Sequence, residues 1–117
     1  MKFKNVFLMS ENMEFEDNII PKGELKKVKL PKELNIYFAH DSDPKKVYGK
    51  ATNFKYKNGE IYCDVDIKIG KVYMENSVKL GIAAQFSATP VANKLTNIKL
   101  NSLILTFTPD STRSYLW

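Results

Sequence analysis

A chain of 117 residues, 44% hydrophobic and 26% charged, has the size and composition of a single folded domain over residues 1–117, which excludes a disordered or fibrous protein. Its net charge of +5 comes almost wholly from lysine, because Arg113 is the one arginine. This weakens a nucleic-acid-binding function, since base and phosphate recognition relies heavily on the planar guanidinium group.

The N-terminal third predicts one strand followed by loops. A strand is expected over Phe3–Met9, and its apolar stretch is too short and too interrupted for a signal peptide or a membrane span, so we expect a cytoplasmic protein without a membrane partner. An acidic loop is expected from Glu11 to Asp17. The lysine-rich stretch Lys22–Leu30 is either a short helix or irregular. The lysines of the run from Lys22 to Lys32 form either a solvated face or a surface for an anionic partner.

The middle of the chain has the two-residue period of β-strands. Leu34, Ile36 and Phe38 alternate with polar or smaller residues, and His40 follows at the end of this strand. Strands over 47–56 and 60–69 are expected to form a hairpin through Asn58-Gly59, because both residues tolerate positive φ.

The C-terminal part predicts one helix and two strands. The helix is expected over Val72–Leu80, with Gly81 as its cap, and the strands over 82–89 and 97–108. Six strands and one helix predict a mainly β fold, a small closed or nearly closed barrel.

Few residues are available for chemistry. His40 is the single histidine, so any imidazole acid or base must be this residue. Cys63 excludes an internal disulfide and is expected to be a buried small hydrophobic residue. A zinc site would need His or Cys partners that the chain lacks, and no glycine-rich phosphate loop is present, so neither a metal nor a cofactor is expected. A serine nucleophile would need a base within reach, and spacing alone does not select among the seven serines.

Four segments, in order, resemble the prohead (capsid maturation) serine protease family of tailed phages. They begin with the early segment 17–23, Asp-Asn-Ile-Ile-Pro-Lys-Gly. Phe38-Ala39-His40-Asp41, followed by Val47-Tyr48-Gly49-Lys50-Ala51, is similar to the histidine-aspartate pair that precedes a glycine-containing strand in this family. The segment 80–87, Leu-Gly-Ile-Ala-Ala-Gln-Phe-Ser, resembles the family's glycine with the nucleophilic serine six residues later. The segment 103–109, Leu-Ile-Leu-Thr-Phe-Thr-Pro, resembles its closing strand.

The resemblance implies a barrel related to the herpesvirus assembly protease, with Ser87 as nucleophile and His40 as general base. We expect these two residues to lie on adjacent strands with their side chains facing each other. The family has an acidic residue in the closing strand where this chain has Ser102, so Ser102 and Asp41 are the candidates for the third member. Ala88-Thr89-Pro90 replaces the small residue and glycine that usually follow the serine.

The implied function is a serine endopeptidase of phage head assembly that cleaves scaffold or capsid-protein extensions inside the procapsid. Its partners would be the major capsid protein or the scaffold protein, in the host cytoplasm and from a phage or prophage gene, and self-association into a homo-oligomer is compatible with this role. The alternative is a catalytically inactive structural or assembly protein on the same fold. A third alternative is a nucleic-acid-binding barrel whose stacking residues would come from five aromatics, namely Tyr37, Tyr48, Phe54, Tyr56 and Tyr62.

Overall fold

The structure is a computed structural model that describes residues 1–39, 42–43, 45–68 and 79–116. Its strands are β1 Lys2–Ser10, β2 Glu14–Phe15, β3 Asn18–Ile19, β4 Glu33–Phe38, β5 Gly49–Lys57, β6 Glu60–Ile67, β7 Gly81–Val91 and β8 Lys94–Thr106. Two three-residue 3₁₀ helices, Leu25–Lys27 and Thr112–Ser114, complete the described elements. The prediction of a mainly β fold is confirmed.

The strands form one sheet in the order β1-β6-β5-β4-β8-β3-β2, with β7 paired to the opposite edge of β8. The β4–β8 and β3–β8 pairs are parallel, and the remaining pairs are antiparallel. The sheet curls into a half-barrel around the core. Strand β8 is therefore the central element that joins the two ends of the fold.

Strand β1 confirms the first predicted strand and buries four consecutive residues, Val6 to Met9. Strict alternation would bury every second residue, but the register with β6 shifts twice, between Phe3 and Val6 and between Phe7 and Met9. Asn5 has φ 54° at the first shift, a conformation that asparagine tolerates better than most residues. These bulges explain how both faces of the strand contribute to the core.

The predicted hairpin between β5 and β6 is confirmed. Asn58 and Gly59 have φ values of 51° and 79°, which match a tight turn whose central residues both have positive φ. In β6 the apolar residues Ile61, Cys63, Val65 and Ile67 are all buried, whereas Asp66 is exposed. The sequence pattern alone therefore determined which face of β6 packs.

A second hairpin joins β7 to β8 and is longer than predicted. The two turn residues, Ala92 and Asn93, have φ values of 51° and 65°. The strands consequently extend to Val91 and from Lys94, whereas the sequence pattern predicted them to end at Thr89 and begin at Asn97. Ala-Asn is a weaker turn signal than Asn-Gly, because alanine gains nothing from the left-handed conformation.

The region before β4 differs in detail from the prediction. Strand β2, within the expected acidic loop, forms a two-residue ladder with β3, which follows the loop, and Ile19 pairs with Lys94 of β8. The lysine-rich stretch contains one short 3₁₀ helix whose Leu25 is fully buried. Leu25 and Val28 pack into the core, and the buried Glu24 carboxylate accepts from the Asn97 backbone N–H of β8 at 3.2 Å. Tertiary contacts therefore order this stretch, and helix propensity does not.

The C-terminal segment, residues 112–116, connects β1 and β7, the two long outer strands of the half-barrel. Tyr115 forms a bridge with Gly81 at the start of β7, and the Leu116 N–H donates to the Leu80 carbonyl at 2.9 Å. On the other side, the buried Ser114 hydroxyl donates to the Phe7 carbonyl of β1 at 2.9 Å. The segment therefore acts as a strap across the gap between β1 and β7.

The predicted helix over Val72–Leu80 falls mostly outside the described residues. Its last two positions, Lys79 and Leu80, are described and are not helical, and the Leu80 side chain is fully buried. No helix among the described residues is long and apolar enough to cross a membrane.

Candidate active site

Ser87, the candidate nucleophile, lies in β7 on the exposed face of the strand. Gln85 and Thr89 are exposed with it, whereas Phe86 packs against the core and stacks edge-on against Phe15 at 5.0 Å between ring centroids. The two-residue period of a strand over 82–89 predicts that Ser87 faces away from Phe86, and this is confirmed. The Ser87 hydroxyl is therefore accessible to an approaching molecule.

The neighbour of the Ser87 hydroxyl is an amide, not a base. Asn101 of β8 donates its side-chain N–H to Ser87 Oγ at 2.8 Å. A serine becomes nucleophilic when a neighbouring group takes its proton, and an amide N–H that donates to the oxygen does not do this. Among the described residues, the contacts of Ser87 hold the hydroxyl in place without activating it.

Ser102, a candidate third member, does not contact Ser87. Its hydroxyl donates to Gln85 Oε1 at 2.6 Å, across the β7–β8 ladder. The residue beside it, Asn101, is the one whose side chain reaches Ser87, because an irregularity in β8 lies between the partners of Gln85 and Phe86. Asn101 is not among the residues that the sequence pattern singled out, because its contact with Ser87 depends on the bulge in β8.

His40 and Asp41, the candidate base and the other candidate third member, lie outside the described residues. The described residue before them, Ala39, follows β4 and donates its backbone N–H to the Leu105 carbonyl of β8 at 2.9 Å. A contact between His40 and Ser87 therefore stays a prediction. The described residues do fix the positions of β4 and β7 in the sheet.

Strands β4 and β7 are not adjacent, because β8 lies between them. The expectation of adjacent strands is therefore wrong for β4, which precedes His40, and β7, while the contact between His40 and Ser87 themselves stays a prediction. Phe38 is paired with Leu105, whereas Ser87 is paired with Lys99, so the two points are six positions apart along β8. Six residues of strand span about 20 Å, and crossing β8 adds two interstrand spacings of about 4.8 Å each. Ala39 thus lies at the C-terminal end of β8, whereas Ser87 lies near the middle of that strand.

A second polar cluster, which sequence reasoning did not single out, joins β6 to the strap. Arg113 donates to both carboxylate oxygens of Glu60 and to the Tyr62 hydroxyl at 3.1 Å, and its guanidinium lies 4.0 Å from the centroid of the Phe7 ring. Hydrogen bonds from Arg113 and then Tyr62 lower the pKa of Glu60, and the contact with Glu60 raises the pKa of Tyr62. Every group has a partner in the cluster, so we interpret it as a structural tie. The one arginine of the chain was its only sequence signal.

The Asp64 carboxylate accepts hydrogen bonds at two bulges of the sheet. Its two carboxylate oxygens accept from the Asn5 backbone N–H of β1 and from the Asn53 side-chain amide of β5, each at 3.0 Å. Both asparagines have positive φ and lie at register shifts. The Asn5 and Asn53 hydrogen bonds lower the pKa of Asp64, which favours its charged form. No cluster of metal-ligating side chains is found in the described part of the chain.

Neither Cys63 nor the aromatic residues considered for base stacking indicate a further reaction or binding site. Burial raises the pKa of the Cys63 thiol to about 12, in agreement with the expected inert hydrophobic role. Of the five aromatics considered for base stacking, Phe54 is buried and Tyr56 packs against the core. Tyr62 borders a shallow groove of about 520 Å³, but its hydroxyl bonds to Glu60.

Comparison with known proteins adds no relative to these observations. No family model, no curated protein and no solved structure matches this chain.

Proposed function

We propose that this chain is a non-catalytic structural or assembly protein of phage heads, which binds the scaffold or major capsid protein inside the procapsid of its host. The observation that carries the non-catalytic part is the separation of Ala39 from Ser87 along β8 and across it. A serine, its base and the group that orients the base act as a unit within hydrogen-bond reach, and strands at this separation do not favour such a unit.

The phage-head context rests on the resemblance of the motif segments, and their arrangement supports it. Segments containing Phe38, Ile82 and Leu105 lie on β4, β7 and β8, which are consecutive in the sheet and meet at Leu105. Three segments that resemble the same family thus lie side by side in the sheet. A closed barrel like that of the herpesvirus assembly protease is the finer part of the proposal, and the strap between β1 and β7 is the element that would close it.

The second candidate is the active serine endopeptidase, with Ser87 as nucleophile and His40 as base. The accessible hydroxyl of Ser87, on a strand without charged residues, favours it. It requires an arrangement of the end of β4 that brings a base to Ser87, and it requires Asn101 to release the hydroxyl.

Coexpression with a major capsid protein and a scaffold protein of a tailed phage distinguishes the two functions. The wild-type chain, Ser87→Ala and His40→Ala are each produced with these partners, and the intact masses of the partners are measured after copurification. The assembly protein is expected to copurify with its partner and to leave the mass of that partner unchanged in all three cases.

Shortening of the partner by the wild type, lost in both variants, would establish the endopeptidase and overturn the non-catalytic proposal. Absence of both cleavage and copurification would contradict a role in head assembly. Thr52→Ala, an exposed substitution on β5, is the control for nonspecific effects on folding.

A further inference from the structure

The two outer strands of the half-barrel differ in how well they are protected against pairing with another chain. Within the described residues, β1 pairs only with β6 and β7 pairs only with β8, apart from the single bridge between Gly81 and Tyr115. Among the described residues, each strand therefore has one edge whose backbone N–H and C=O groups are not paired with another strand beyond the strap. Such edges are templates for strand addition unless the sequence blocks it.

Strand β1 is protected by charged side chains and a bulge, whereas the one protective residue of β7 is Pro90, next to its end. Lys2 and Lys4 are exposed on β1, and the bulge at Asn5 bends the strand. The eleven residues of β7, Gly81–Val91, contain no charged side chain, and its own run is continuous because the extra residues at both irregularities belong to β8. Val91, at its end, is 55% exposed and is one of few large hydrophobic residues described as exposed.

We propose that β7 is a dimerisation edge, at which two copies of this chain pair antiparallel about a two-fold axis through Ser87. A second copy is the occupant that the charges favour. Pairing β7 with itself places no like charges opposite each other, whereas the same pairing at β1 would bring lysines of both copies together. A two-fold contact is also the commonest form of self-association.

The turn of the hairpin determines which backbone groups face outward. In a two-residue hairpin the flanking pair, here Val91 and Lys94, is hydrogen-bonded, so the backbone of Pro90 points away from β8. Proline has no N–H, so this is the orientation in which it costs the β7–β8 ladder nothing. Alternation then directs the N–H and C=O groups of Ala88 and Phe86 toward the free edge.

An axis at Ser87 gives the most complete ladder. It places Phe86 opposite Ala88 of the partner copy, so both N–H groups find a carbonyl, and a large side chain faces a small one. It also places Gln85 opposite Thr89, which pairs polar side chains on the exposed face. An axis one residue later would oppose Phe86 with Pro90 and lose a central hydrogen bond.

Disulfide trapping tests the axis directly. Residues opposite each other in a non-hydrogen-bonded antiparallel pair have Cα atoms about 4.5 Å apart, within the range of a disulfide. Under mild oxidation Ser87→Cys is expected to form a covalent dimer. The matched control is Thr89→Cys, on the same exposed face of β7, whose counterpart in the second copy is four residues away along the strand, about 13 Å, and which is expected to stay monomeric. Cys63 is buried and does not compete.

Sedimentation velocity of the unmodified wild type provides the second measurement, from micromolar to millimolar concentration. The mass is expected to rise from 13.4 kDa toward twice that value. Association should strengthen with added salt, because each copy carries a net charge of +5. The double variant Gln85→Lys/Thr89→Lys, which opposes lysines at two pairs, should weaken association about tenfold.

A wild type that stays at 13.4 kDa throughout this range would overturn the proposal. So would equal crosslinking of Ser87→Cys and Thr89→Cys, which would indicate random collision. Binding of a strand from another protein at β7, with no dimer of the chain alone, would identify a different occupant and would equally refute the second copy. These outcomes do not depend on whether the chain cleaves or binds a capsid protein.

Discussion

Replacing Ser114 by alanine tests whether the strap stabilises the half-barrel. The Ser114 side chain is 1% exposed, and its hydroxyl donates to the Phe7 carbonyl at 2.9 Å. Alanine keeps the shape of the side chain but removes the donor, so a buried carbonyl of β1 is left without this partner. The loss of a buried hydrogen bond with an acceptor left unsatisfied costs about 1–3 kcal/mol. We expect the free energy of unfolding to fall by about 2 kcal/mol.

Urea unfolding followed by circular dichroism measures this loss. With a denaturant slope of about 2 kcal/mol per molar, which suits a small domain, the midpoint should fall by about 1 M with the slope unchanged. The matched control is Ser102→Ala, which removes an equally hydrogen-bonded hydroxyl at a partly exposed position and should cost less than about 0.5 kcal/mol. Equal midpoints for the two variants would refute the reasoning that the strap contact is a buried structural bond.

Two further predictions concern titratable groups. The pKa of Asp64 is lowered from 3.8 in the folded state, so its contribution to stability is present above that value and is lost as pH falls through the lower folded pKa. The free energy of unfolding should therefore decline in acid less steeply for Asp64→Asn than for the wild type, as measured by chemical denaturation at a series of pH values. Identical pH profiles for the two proteins would contradict a stabilising role of the Asp64 carboxylate. For Cys63, whose pKa is about 12, a thiol reagent at pH 8 should react slowly with the folded chain and rapidly in denaturant, and fast labelling of the native protein would disprove its burial.

The candidate site shows where sequence reasoning stopped. Alternation along 82–89 correctly predicted that Ser87 and Phe86 lie on opposite faces of the strand, and the structure shows that the face of Ser87 is the exposed one. It could not predict Asn101 as the partner of Ser87, because that contact depends on an extra residue in β8. Nor could it place β8 between β4 and β7, since the order of strands in a sheet follows from long-range pairing that period and spacing do not contain.

The sequence by itself determined the local elements of this protein. The period of β6 selected its buried face, and Asn58-Gly59 selected the hairpin, because side-chain alternation and turn conformation are properties of a few neighbouring residues. Tertiary structure alone decided what depends on residues distant in the chain. Ser114 meets Phe7 across 107 positions, and Asp64 holds bulges on both neighbouring strands. Only the folded sheet brings such groups within hydrogen-bond distance, so the strap and the free edge of β7 emerged from the structure and not from the pattern.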